Sequence, residues 1–450
     1  MTAHEAQVRG SDDSALLSAA PAAGPTTAGN RTAAGPTTAG NRTAATPAGH
    51  RWRLPKVVLA PMAGITNAPF RRLCRSFMPE ESAAEVLYVC EMITARGLVE
   101  GNAKTVRMAR FAADEPVRSI QLYGSDPGTI GEAIRILVDG HGADHVDLNF
   151  GCPVAKVTRK GGGAALPVRR ALFTAIVRAA VQAAEAAGPI PVTVKMRIGV
   201  DDQRRTFLDA GHRAADEGIA AVALHARTAA QHYSGQADWS AIGELKAALA
   251  DFGVPVLGNG DIWRPTDALA MMHTTGCDGV VVGRGCLGRP WLFRDMARAL
   301  ANDAPAPPPP ERSCGRTRRF PARSAAVSEA PRQLGDVAAT LSLHAHLLAD
   351  WMTEPLAMLD IRKHVGWYLQ GYPVGSEVRR HLTNAATLAE LDAHLDDLDP
   401  GLTPLPGSDA LPRGKTSGPR RVVLPEGWLD HPDDPTPLAG ADELVATSGG

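Results

Sequence analysis

HVDLNFGCPVAKVTRKGGGAALPVRRALFTAIVRAAVQAAEAAGPIPVTVKMRIG, residues 145–199, decides the fold. It opens with a strand-like run, HVDLNFG (145–151), passes through an Ala-rich helical stretch (168–187) and closes on a second run, PVTVKMRIG (191–199). The same alternation extends in both directions. VVLAPM (57–62), LYVCEM (87–92) and RSIQLYG (118–124) precede it; AVALHAR (221–227), VPVLGNG (254–260) and GVVVGRG (279–285) follow. Helical stretches at 127–139, 203–217 and 240–250 lie between runs. Taken together the runs are rich enough in apolar residues for strands buried on both faces. Eight strands joined by helices within residues 54–300 predict an α/β fold, a (β/α)8 TIM barrel, whose usual size is about 250 residues. A doubly wound open sheet is the architectural alternative. Even spacing, and the absence of GxGxxG after the first run, favour closure.

The chain has 450 residues, and its 47 basic and 48 acidic side chains give a formal net charge of -1. Hydrophobic residues at 44% provide for a large core, whereas 45 Gly and 35 Pro point to irregular segments added to a folded centre. Residues 1–50 read as a disordered extension. There GPTTAGNRTAA (24–34) recurs at 35–45, with Gly and Pro in each copy and sequons at Asn30 and Asn41. A Pro/Arg-rich linker, 301–334, contains ANDAPAPPPP and then ERSCGRTRRFPARS. Helical periodicity returns over 335–400, with Thr353-Glu-Pro as one helix start and Thr387 with Glu390 as a capping box. Residues 401–450 are again Pro/Gly/Asp-rich and read as a disordered tail. No apolar run spans a membrane, and the polar N-terminus lacks a signal-like apolar stretch. Six cysteines without CxxC spacing give neither a disulfide framework nor a metal site, which points to a reduced, cytoplasmic setting.

In a TIM barrel the chemistry sits where the strands end. Those ends carry Ala60-Pro61-Met62-Ala63-Gly64, Gln121, Asn149 with Gly151-Cys152-Pro153, Lys195 and Arg197, His225 and Arg227, Gly258-Asn259-Gly260-Asp261, and Gly283-Arg284-Gly285. The last two segments are Gly-rich and follow strands 7 and 8, the usual phosphate site of the fold. One planar, phosphorylated cofactor accounts for both the small residues after strand 1 and these loops.

These segments resemble the tRNA-dihydrouridine synthases, flavoproteins that reduce uridine in tRNA, and among them the bacterial B-type branch. The resemblance rests on APMAGITNAPFR (60–71), EMITARG (91–97), IQLYG (120–124), DLNFGCPVAKVTRKGGGAAL (147–166), VKMRIG (194–199), HART (225–228), GNGDI (258–262), GRGCLGRPWLF (283–293) and RKHVGWYL (362–369). It covers about 54–300 and 335–400, and neither tail. It implies FMN held by Pro61, Met62 and Ala63, with Gln121 and Lys195 at the polar edge of the ring. Asn259, Gly260, Asp261, Gly283, Arg284 and His225 would surround the phosphate end. Cys152 would be the proton donor, NADPH or NADH the transient reductant, and tRNA the substrate of a monomeric enzyme without metal. Asn149, Lys156, Lys160, Arg197, Arg227, Arg362, Lys363 and His364 are the expected substrate or tRNA contacts.

Plainer readings stand beside these. Lys195 suits a structural ion pair, His225 a core histidine, Arg227 a residue that orients loops or meets the RNA backbone, and Gly161–Gly163 a flexible loop. The neutral total conceals basic regions: ten Lys/Arg against five Asp/Glu over 51–110, and ten against three over 153–205. The helical segment 341–400 has four against nine. Arg316, Arg318, Arg319 and Arg323 offer a further RNA tether. Two rival functions remain: an FMN barrel acting on a free pyrimidine, of dihydroorotate or dihydropyrimidine type, and an idle RNA-binding scaffold.

Overall fold

The computed structural model describes residues 54–303, 332–414, 416 and 418–438. The N-terminal duplication with Asn30 and Asn41, the linker arginines 316, 318, 319 and 323, and Cys314 lie outside the described residues.

Eight parallel strands close into a barrel in sequence order. They are β1 (Val57–Leu59), β2 (Val86–Thr94), β3 (Ser119–Tyr123), β4 (His145–Phe150), β5 (Val192–Arg197), β6 (Ala221–His225), β7 (Val256–Asn259) and β8 (Gly279–Val282). Each lies inside or beside one of the eight runs in the sequence. Closure is made by β1 against β8, with Val57 opposite Val280 and Leu59 opposite Val282, which excludes an open sheet. Val58, Ala60, Leu87, Val89, Ala223, Leu257 and Val281 fill the barrel interior as one apolar cluster.

Local chemistry starts the outer helices. Asn67 caps Ala68–Ser76 by accepting the Phe70 N–H at 3.0 Å, with Pro in the first turn. Asp126 does the same for Pro127–Arg135 through Thr129 N–H at 2.7 Å. The 18-residue helix Arg170–Ala187 buries Leu172, Phe173, Ile176, Val177, Ala180, Ala183 and Ala184, a stripe at helical spacing. Its Phe173 ring meets Phe150 at 4.6 Å, which seats the end of β4 and the turn beyond it.

Four further helices, Leu334–Trp351, Glu354–Tyr368, Ser376–Asn384 and Leu388–Asp396, share a second apolar cluster that includes Leu341, Leu348, Ile361, Val365, Leu382 and Leu391. Trp291 and Phe77 of the barrel join it. Thr387 caps the last helix through Glu390 N–H at 3.2 Å; the Glu390 carboxylate accepts from Ala386 rather than from the cap itself.

The tail corrects the expectation from composition. Among its described residues, Trp428 is 1% exposed inside the barrel's own apolar cluster, and Leu424 and Leu438 pack beside it. Arg413, 4% exposed, donates to the carbonyls of Leu287 and Trp367. Burial of Trp428, an ordered contribution of about 3–5 kcal/mol for so large a ring, overrides the Pro/Gly content that reads as disorder.

Candidate active site at the barrel mouth

Strand register sets the heights of the functional side chains. Gln121 lies opposite Asp147, Asn149 opposite Lys195, Arg197 opposite His225, and His225 opposite Asn259. The residues singled out at the strand ends therefore converge on one end of one barrel.

The loop after β1 is fixed from two sides. Gly64, at φ +69°, turns its N–H to Glu91 of β2 at 2.6 Å. Arg71, fully buried in the following helix, grips Glu115 with two bonds of 2.8 and 2.6 Å and donates to Thr66 O at 2.8 Å. Pro61 and Met62 are left half-buried and Ala63 exposed at the rim.

Below the rim a continuous polar chain crosses the barrel interior. The Ser119 hydroxyl meets His145 Nδ1 at 2.7 Å, and His145 Nε2 meets Thr193 Oγ1 at 3.0 Å. Thr193 donates to Asp147 Oδ1 at 2.6 Å, and Gln121 Nε2 donates to Asp147 Oδ2 at 2.6 Å. Asn149 Nδ2 donates to Gln121 Oε1 at 2.8 Å. The free oxygen of Asn149 then accepts the N–H groups of Gly151 (3.1 Å) and Cys152 (2.9 Å). The chain ends on the backbone of the cysteine. Burial pushes Asp147 up to about 6, against the pull of its two hydrogen bonds and the Lys195 charge. Burial and the nearby Arg197 bring Lys195 down to about 8, while Asp147 resists. Lys195 Nζ donates to Asn259 Oδ1 at 3.0 Å, and Asn259 in turn donates to Val281 O at 2.7 Å.

Cys152 sits in the turn after β4, its carbonyl accepting Ala164 N–H at 3.1 Å. Burial raises its thiol pKa above the ordinary value, opposed by the Val154 N–H and the charges of Arg197 and Lys195. At neutral pH the thiol carries its proton. The other described cysteines, Cys74, Cys90, Cys277 and Cys286, are free and buried.

From β5 round to the loop after β8 the mouth is cationic. Burial pushes His225 well below its usual range, and Arg197, Lys195, Arg227 and Arg284 push it further, so its ring is neutral. Two carboxylates, Asp147 and Asp261, oppose these four cations, leaving a positive surplus. Arg227 holds Asp261 at 2.7 Å and the carbonyls of Ser234 and Gly235 at 3.0 and 2.8 Å, but its Nη1 is buried without a partner. Asp261 and Gly260 adopt positive φ, +53° and +131°, which turns the chain sharply after β7. Arg284 lies over Tyr233 (4.3 Å) and Trp263 (5.1 Å). Gly283 leaves Ala60 and Met62 uncrowded, 3.6 and 3.7 Å from where its Cβ would be. Surplus cations, an orphaned guanidinium nitrogen and two Gly turns make a site that fits a phosphorylated cofactor.

Residues 58–400 match the family profile described as dihydrouridine synthase. The chain belongs to the dihydrouridine synthase family. A "Probable tRNA-dihydrouridine synthase" of Mycobacterium tuberculosis H37Rv is 52% identical over 389 residues, covering 86% of this chain and 93% of that protein. One from Mycobacterium leprae is 50% identical over 413 residues, with 87% and 100% covered. A "tRNA-dihydrouridine synthase B" from Xanthomonas campestris is 36% identical over 354 residues, with 78% and 96% covered, in line with the B-type resemblance.

Several of the expected substrate or tRNA contacts are buried. Arg197 is 4% exposed and donates to the carbonyls of Gly151, Thr228 and His232. Arg227 is 1% exposed and His364 fully buried. The two arginines tie loops together, whereas His364 packs by its ring against Phe70, His344 and Trp367 with both ring nitrogens unpartnered, and none of the three presents a surface to an RNA backbone. Lys363 reaches across to the Gly64 carbonyl and to Asp360, so it latches the helical region onto the β1 loop. Lys156 and Lys160 are half-buried in the segment after Cys152, and Arg362 is half-buried with an unpartnered Nε. Sequence reasoning missed Asp147, His145 and Thr193, although alternation within DLNFG puts Asp147 on the same face as Asn149. It also missed Glu91 and Trp428.

Among the described residues no helix is long and apolar enough to cross a membrane, and no group of three His, Cys, Asp or Glu could hold a metal.

Proposed function

We propose that this chain reduces the C5–C6 double bond of uridines in tRNA to 5,6-dihydrouridine, with FMN as bound cofactor, NADPH or NADH as reductant and Cys152 as proton donor. The observation that carries the reading is the cysteine turn. Asn149 holds the Gly151 and Cys152 N–H groups while a raised pKa keeps the thiol protonated beside Lys195 and Arg197. The names of the mycobacterial relatives support the same substrate.

When bound, FMN supplies hydride for C6 of the uracil ring. Pro61, Met62 and Ala63 offer a small-residue face for the flavin, with Gln121 and Lys195 at its polar edge. Asn259, Gly260, Asp261, Gly283, Arg284 and neutral His225 suit its phosphate end. Cys152 Sγ gives its proton to C5, and the thiolate left behind is stabilised by the positive charges of Lys195 and Arg197. The target base must leave its stack to reach this depth. Lys156, Lys160 and Arg362 then meet tRNA phosphates, with the helical domain 335–400 orienting the molecule. The domain division at 54–300 and 335–400, a cytoplasmic location and a monomeric state belong to this reading.

Incubating the purified protein with NADPH and, separately, unmodified tRNA, free uracil and orotate tests it. Dihydrouridine in tRNA with no turnover of the free bases is expected. Reduction of free base alone would transfer the reading to a dihydroorotate- or dihydropyrimidine-type enzyme; no turnover of any would favour an idle RNA-binding scaffold.

A further inference from the structure

The segment beyond the helical region is not needed to close the barrel, yet it follows the barrel mouth closely. At its start Arg413 is inserted between the carbonyls of Leu287, after β8, and Trp367. Gly414 lies against the same turn: a Cβ there would stand 3.1 Å from Leu287 and 3.6 Å from the Arg284 side chain. Further on, Arg420 N–H donates to Ala230 O, after β6, at 2.8 Å. The segment then reaches the loop after β4, the loop that carries Cys152.

There Trp428 is the anchor. Its Nε1 donates to Ala165 O at 2.8 Å, and the outer edge of its ring abuts Gly161, where a Cβ would come within 2.4 Å of Cη2. Arg169 lies over the ring at 4.7 Å and is held there by the Asp434 carboxylate at 2.6 Å and the Asp434 carbonyl at 3.0 Å. Arg170 pairs with Asp433 beside it. Ala165, the residue held by Trp428, directly follows Ala164, whose N–H holds the Cys152 carbonyl. Gly163 packs against the same cysteine, its missing Cβ 2.6 Å from Cys152 O and 3.2 Å from Cys152 Cβ. Only Gly fits at 161 and 163, both at positive φ, so this Gly-rich stretch is a closely fitted seat between the indole and the cysteine.

We propose that the described residues of 403–438 are a strap around the rim of the active site, and that Trp428 is a positioning residue that sets Cys152 from outside the barrel by clamping residues 161–169. The catalytic side of this inference rests on Cys152 being the proton donor. The structural side, that the strap controls access to and placement of the thiol, does not.

The test uses the full chain. In Trp428→Ala, alkylation of Cys152 by iodoacetamide, followed by mass spectrometry of its peptide, should accelerate about tenfold or more. The kcat for tRNA reduction should fall about ten- to a hundredfold, the scale expected when a reacting group is misplaced by about 1 Å, with KM for tRNA within about twofold. Trp428→Phe keeps an aromatic ring beside Arg169 but loses both the indole N–H and the outer ring edge that abuts Gly161, so it should fall between the unsubstituted protein and Trp428→Ala in both readouts. Asp434→Ala removes a partly exposed carboxylate and loosens Arg169, which keeps its bonds to the carbonyls of Asp434 and Thr436. It should raise the alkylation rate about two- to threefold, the small effect expected of a solvent-screened ion pair. If Trp428→Ala does not fold, Trp428→Phe and Asp434→Ala carry the same two readouts. An unchanged alkylation rate in every soluble variant overturns the proposal. So does a loss of activity expressed in KM alone. Full activity in Cys152→Ala would instead remove the proton-donor reading while leaving the alkylation result to decide the strap.

Discussion

Asp147→Asn separates a residue kept for stability from one kept for the site. The Asp147 carboxylate accepts Thr193 and Gln121 at 2.6 Å each, yet burial holds its pKa at about 6 rather than the usual 3.8. A folded pKa above the unfolded value means that the ionised form is disfavoured in the native protein. Above pH 6 this amounts to a cost of about 2 units, or about 3 kcal/mol. An amide removes that cost but cannot accept from both donors, and one unsatisfied buried donor takes back about 1–3 kcal/mol. The net change in unfolding free energy at pH 7.5 is therefore between about zero and a gain of 2 kcal/mol. Function should move the other way. Lys195, already brought down to about 8, loses the carboxylate that supports its charge, and Gln121 and Asn149 lose the fixed end of their chain. The alkaline limb of the activity profile should shift to lower pH, with kcat down about tenfold, the scale of one charge-assisted bond. Urea denaturation at pH 7.5 and an activity profile from pH 6 to 9 read the two effects. A variant destabilised by more than about 2 kcal/mol, with an unmoved alkaline limb, would refute the reasoning.

Other outcomes follow from the same accounting. Glu115→Ala leaves Arg71 buried without its carboxylate, so urea denaturation should show a loss of about 3–5 kcal/mol, whereas Asp114→Ala, which removes a half-exposed carboxylate beside Arg72 and Arg75, should cost under about 1 kcal/mol. Burial brings His145 and His344 down to about 3, so both stay neutral in the native protein while the unfolded chain takes up protons below about 6.5. The stability they allow above that pH is lost as pH falls, by about 1.4 kcal/mol per unit for each, or about 3 kcal/mol for the two at pH 5.5. His364, beside His344 at a ring distance of 4.5 Å and also pushed well down, adds in the same direction. Thermal melts at pH 7.5 and 5.5 measure the total.

The barrel was legible because eight apolar runs at even spacing leave few other closed arrangements, and because strand ends in this fold are site positions by topology. The Gly-rich loops after β7 and β8 were legible for the same reason. Charge was the misleading signal. Arg197 and Arg227 stand at strand ends where substrate or RNA contacts are expected, but here they are buried against carbonyl groups of neighbouring loops, with Arg227 Nη1 left without a partner. The strap was invisible because a segment held by one indole, one buried arginine and scattered backbone bonds has no period; its Pro and Gly content resembles disorder. Asp147, inside an apolar strand, showed its place only through the alternation that sets it in line with Asn149.

The central claim, that Cys152 donates the proton in a flavin-dependent reduction of tRNA uridine, is tested most directly by Cys152→Ala loaded with FMN and reduced by NADPH in the presence of unmodified tRNA. The account predicts that the variant binds FMN as the unsubstituted protein does, accepts electrons from NADPH, and forms dihydrouridine at under about 1% of the normal rate, the scale of a lost general acid. Dihydrouridine formed at the normal rate would contradict it.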